Sequence, residues 1–63
     1  MTDKQRLFET AVRDAVVVLT IMQQKTFEIG PAFATADAST DKAKAVGWTL
    51  EQIEAEAKRR VGA

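Results

Sequence analysis

Residues 7–22, LFETAVRDAVVVLTIM, hold most of the chain's large aliphatic side chains in one run, and any fold must bury that run. Its approach is marked for a helix. Thr2 with Gln5 makes a capping box, in which each side chain satisfies the other residue's free backbone N–H, and Asp3 sets a negative charge at the positive end of the helix dipole. At 100° per residue, Leu7, Phe8, Ala11, Val12, Ala15, Val18, Leu19 and Met22 fall in an arc of roughly 140°, the width of a core-facing stripe. Positions 8, 12, 15, 19 and 22 also alternate spacings of four and three, as in a coiled-coil seam. A first helix over residues 3 to about 25 follows.

The far side of this helix changes character along its length. Its first half carries Arg6, Glu9 and Arg13, with Glu9 and Arg13 spaced for a weak helical ion pair. In the second half Val16, Val17 and Ile21 lie outside the main stripe, and only Thr20, Gln23 and Gln24 are plainly polar. Such a helix asks for cover on two sides. The apolar run is far short of the ~20 residues that cross a bilayer, so the expected cover is protein. A strand over residues 15–22 is the competing reading, because consecutive valines lose rotamer freedom in a helix. The unbroken helical periodicity upstream decides against it.

A chain of 63 residues makes one domain, residues 1–63. At this size only ~60% of the unfolded surface is buried, and disulfides, metals or association usually add the missing stability. The chain has no Cys and no His. Disulfides are therefore impossible and a structural zinc site lacks its usual ligands. Association remains, in agreement with the second apolar face of the first helix. Basic and acidic residues balance at nine each, so no field of one sign steers the chain to nucleic acid or an anionic membrane. With no signal-peptide pattern and no lipidation box, the cytoplasm is the expected location.

After the first helix, the Gly30–Pro31 pair reads as a break, and the small and polar AFATADAS that follows reads as a loop over about residues 26–39. Phe27, Ile29 and Phe33 are too apolar to be left together in water, so this loop is expected to lie back across the first helix. A short helix over about 40–46 is expected next, capped by Ser39 or Thr40 and ended by Gly47 at the left-handed C′ position. Thr49 with Gln52 forms a second capping box, with Trp48 set to pack on Ile53 as a hydrophobic staple. It opens a third helix over about 50–61, in which Glu54 with Lys58 and Glu56 with Arg60 are four apart. Its stripe of Leu50, Ile53, Ala57 and Val61 spans only roughly 80°, enough to rest on one neighbour.

The chemistry is narrowly bounded. Without Cys, His or Tyr, and with a single Ser at position 39, nucleophilic catalysis has almost no material. No catalytic residue, cofactor or metal is expected. Glu51 with Glu54 and Asp37 with Asp41 pair carboxylates by spacing alone, and solvated side chains near helix starts explain them. Asp37, Ser39 and Asp41 begin a calcium-loop pattern that fails where Lys42 replaces its glycine and Trp48 its bidentate glutamate.

The stretch STDKAKAVGWTLEQIEAEA, residues 39–57, resembles a helix-turn-helix unit of bacterial and phage DNA-binding regulators, and GWTLEQIE looks like part of a MerR-type regulator. Ala43, Gly47, Val46 with Trp48, and Ile53 meet the places that hold two such helices together. The resemblance implies a regulator that docks residues 39–60 on DNA, with Lys58, Arg59 and Arg60 as candidate nucleic-acid contacts. Lys42 and Glu56 stand where the family carries apolar residues, and the would-be recognition helix offers Glu51, Glu54 and Glu56 to the phosphates.

The preferred reading is all-α: a long N-terminal helix, a loop and two short helices, forming a small bundle completed by oligomerisation. Its expected function is that of a non-enzymatic interaction or assembly module, an accessory or regulatory protein that forms a homo-oligomer through the first helix and binds another protein. The expected interface is Val12, Val16, Val17, Leu19, Ile21 and Met22. DNA binding through residues 39–60 is the alternative, and a membrane partner is not expected.

Overall fold

The computed structural model describes residues 2–24 and 29–62. These form three helices, α1 (Asp3–Gln24), α2 (Ile29–Ala45) and α3 (Leu50–Gly62), and contain no strand. Among the described residues, no helix is long and apolar enough to cross a membrane.

The first capping box closes as expected: the Gln5 N–H donates to Thr2 Oγ1 at 3.2 Å, and the Thr2 N–H donates to Gln5 Oε1 at 3.3 Å. From that nucleus α1 runs through the valines without interruption. Val18 is buried and Val16 packs against the core, so tertiary burial outweighs the rotamer entropy that disfavours valine in a helix. The expected end of this helix at Lys25 and the packing of Phe27 and of the Ile29 side chain lie outside what is described.

The middle of the chain departs from expectation. The loop expected through residue 39 and the short helix over 40–46 are instead one helix of 17 residues, α2. Pro31 stands in its first turn, where the missing N–H costs no hydrogen bond and the fixed φ suits the helix. Beyond it Ala32, Ala34, Ala36 and Ala38 are the residues with the best helix propensity. The hydroxyls that could compete with the backbone fold inward: Thr35 Oγ1 donates to the Pro31 carbonyl at 3.0 Å, and Ser39 Oγ to the carbonyls of Thr35 and Ala36 at 3.2 and 3.1 Å. Ser39 is thus a buried mid-helix residue and not an N-cap.

Gly47, at φ 107°, ends α2 in a Schellman motif. The Trp48 N–H donates to the Ala43 carbonyl and the Gly47 N–H to the Lys44 carbonyl, both at 3.1 Å. The second capping box opens α3: the Gln52 N–H donates to Thr49 Oγ1 at 3.1 Å and the Thr49 N–H to Gln52 Oε1 at 2.9 Å.

Both later helices pack on α1 and touch each other only sparingly. At the junction Ala11 and Val12 of α1 meet Ala43 of α2 and Ile53 and Ala57 of α3, all essentially without exposure. Only Val12 and Ile53 among them are large. The inner line of α2, Ala32, Ala36, Ser39 and Ala43, is made of small residues, which lets its backbone approach α1 closely.

Ala43→Leu keeps the apolar character but has no room, and should lower unfolding free energy by about 1–3 kcal/mol in urea titration. Gly47→Ala should cost about 1–2 kcal/mol, because an L side chain resists the left-handed region. An unchanged urea midpoint for Ala43→Leu would contradict the close approach of α2 to α1.

Candidate interaction site

Because α2 and α3 diverge over α1, they leave an apolar groove of about 300 Å³ between them. Its floor is α1, at Ala15, Val18, Leu19 and Met22. One wall is the α2 face of Phe33, Ala36, Asp37 and Thr40, residues that helical spacing places in one row. The other wall is α3, where Leu50, Ile53, Glu54, Ala57 and Lys58 form a similar row. Ile53 and Ala57 are fully buried beneath it, whereas Met22, Phe33 and Leu50 remain 54%, 53% and 46% exposed. Three large apolar side chains thus stand half in water around one depression. Their clustering depends on α2 being helical as far back as Phe33, so a loop assignment for that segment hides it.

The six residues expected at an interface are dispersed by the fold. Val12 is fully buried at the helix junction, Val16 and Leu19 are partly buried and pack against that core, and Leu19 also lines the groove floor. Val17 is half-exposed and Ile21 partly buried, on a side of α1 roughly 140° round from Met22 in the case of Val17. Met22 joins the groove.

Trp48 has a structural place. Its indole N–H donates to the Lys4 carbonyl at 3.0 Å, its ring lies 4.2 Å from the Phe8 ring between centroids, and the Lys4 ammonium stands 5.3 Å from it. It also packs against the buried cluster to which Ile53 belongs. The turn between α2 and α3 is thereby fastened to the start of α1.

The candidate nucleic-acid contacts are mostly engaged within the chain. Arg60 extends from α3 to Glu9 of α1 in a two-pronged pair, with Nη1 3.1 Å from Glu9 Oε2, and its Nε donates to Glu56 at 2.9 Å. Arg59 also makes a two-pronged pair with Glu56. Lys58 alone of the three makes no ion pair among the described residues, and it sits on the groove wall. Glu9 therefore turns to Arg60 and not to Arg13, while Glu56 pairs with Arg60 as the four-residue spacing implies. Ala43 and Ile53, which the helix-turn-helix resemblance sets at a contact between two helices, are buried together with α1 residues, and it is α1 that fixes how α2 and α3 lie. Asp37, Ser39 and Asp41 lie along α2, and a regular helix cannot curl them round an ion as a calcium loop does. Among the described residues, no group of three acidic side chains stands close enough to hold a metal.

Hydrogen bonds from Arg59 and Arg60 hold the Glu56 carboxyl down at about 2, and the bond from Arg60 lowers that of Glu9. The same carboxylates raise the pKa of both guanidiniums. A carboxyl whose pKa is lower folded than unfolded stabilises fully above its unfolded value, 4.5 here, and ceases to do so as pH falls through the folded value. The melting temperature should fall between pH 4.5 and about 2, and the Glu9→Gln, Glu56→Gln double variant should lose less over that window while melting lower at pH 7. Parallel pH profiles for the two proteins would contradict the α1–α3 tie.

No protein-family model, curated protein or solved structure matches this chain.

Proposed function

We propose that this chain is a cytoplasmic, non-enzymatic interaction or assembly module, which self-associates and binds another protein through apolar surface on and beside α1. The observation that carries the reading is the half-exposure of Met22, Phe33 and Leu50 around one groove, beside a core in which, among the described residues, only Val12 and Ile53 are large and fully buried. Large side chains placed together in water favour a partner, because every buried CH₂ contributes about 0.8 kcal/mol to association. The residue inventory supports a role without chemistry: there is no Cys, His or Tyr, and Ser39 is committed to backbone carbonyls. The surface differs in part from the stripe read from α1 alone, since Val12 is fully buried and Val16 packs against the core, whereas Leu19 and Met22 line the groove.

Light scattering tests the reading. A mass above the 6.9 kDa chain is expected at tens of micromolar protein, reverting towards the single chain in Met22→Lys and Phe33→Glu. Those positions are half-exposed, so both variants should keep their helical circular dichroism. A mass of one chain at every concentration contradicts self-association. Duplex DNA binding at low salt that Lys58→Ala weakens would replace the reading with the regulator alternative.

A further inference from the structure

We propose that Met22 is a modification site: a hydroperoxide converts its thioether to the sulfoxide, which makes the end of the groove polar and reverses the self-association proposed above. This rests on that reading and adds chemical control to it. Composition leaves a peroxide few targets. The chain has no cysteine, whose thiolate would react first, and its two methionines are Met22 and Met1, the second outside the described residues. The one tryptophan, Trp48, is partly buried, with its ring against Phe8 and its N–H committed to the Lys4 carbonyl. Met22 is, at 54%, the most exposed large hydrophobic residue among those described.

The reaction needs only the peroxide. A sulfur lone pair attacks one peroxide oxygen, the S–O bond forms as the O–O bond breaks, and the departing hydroxide takes the proton of the transferred oxygen and leaves as water. Sulfur loses two electrons and the peroxide gains them. The consequence follows from place. Met22 lines the groove with Leu19, Phe33 and Leu50, and an unbranched thioether packs on such neighbours without holding water. A sulfoxide carries a strong dipole and its own hydration, which a partner must strip to cover the groove. A partner seated on the groove in turn shields the sulfur from peroxide. Oxidation and association therefore oppose each other.

Peptide mapping and light scattering after timed exposure to hydrogen peroxide test both halves. In dilute protein the Met22 peptide should gain one oxygen within about threefold of the rate of free methionine in the same solution, and more slowly in concentrated protein. The oxidised chain should associate about tenfold more weakly, and methionine sulfoxide reductases for both epimers should restore it. Met22→Leu, which keeps the apolar volume and Met1, should associate and be indifferent to the same exposure. A Met22 that stays reduced while free methionine is consumed overturns the site. Association that survives complete oxidation of Met22, or is lost equally in Met22→Leu, overturns the switch and leaves self-association standing. If Met22→Leu does not assemble, failure of the oxidised wild type to recover under the reductases overturns the switch. A wild type that is a single chain at every concentration overturns both.

Discussion

The close approach of three helices at Ala11, Ala43 and Ala57 is the constraint on which the rest of the structure depends. Small side chains let the backbones of α2 and α3 come down onto α1, and Val12 and Ile53 fill the remaining space. The cost is a core that buries little. A buried alanine methyl contributes a fraction of what a buried leucine does, and a chain of this length has no second layer with which to compensate. The large side chains that would thicken such a core, Met22, Phe33 and Leu50, lie instead at the edge of the groove between the two later helices. The thin core and the exposed groove are two consequences of one packing choice.

Two long-range ties hold the later helices where the alanines seat them. Trp48 fixes the α2–α3 turn by its hydrogen bond to Lys4 and its stacking on Phe8. Arg60 fixes the far part of α3 through Glu9. The first depends on ring contact and a backbone acceptor, so it is indifferent to salt, whereas the second is partly exposed and screened. Neither tie joins α2 directly to α3. Each wall of the groove rests mainly on α1, and among the described residues α2 and α3 touch each other only sparingly.

Local signals were legible wherever they are chemically distinctive. Both capping boxes and the left-handed Gly47 follow from residue types at fixed offsets, and each is formed; Trp48 was legible as a structural residue, but its partners Lys4 and Phe8 lie far off in sequence. The helical α1 was legible from its periodicity. Helix α2 was not, because alanine, serine and threonine in AFATADAS give no apolar period, and the Gly30–Pro31 pair looks like a stop when it stands at a helix start. The available signal was the 4-3-4 spacing of small residues at 32, 36, 39 and 43, which is visible only if small side chains are counted as a packing face. Missing it also hid the groove, whose α2 wall that helix supplies. The pairing of Glu9 with Arg60 was illegible for another reason: the two are 51 residues apart, and only the tertiary fold brings them together.

Under the proposed self-association, stability and association become one property, because a thin core leaves apolar surface for a second copy to cover. Thermal unfolding followed by circular dichroism across a hundredfold range of protein concentration measures that coupling directly. The melting temperature should rise steadily with concentration, since a partner that binds only the folded chain stabilises it by mass action. A melting temperature that is the same across the range would contradict the central claim, and would mean that the groove is tolerated as open surface on a stable single chain.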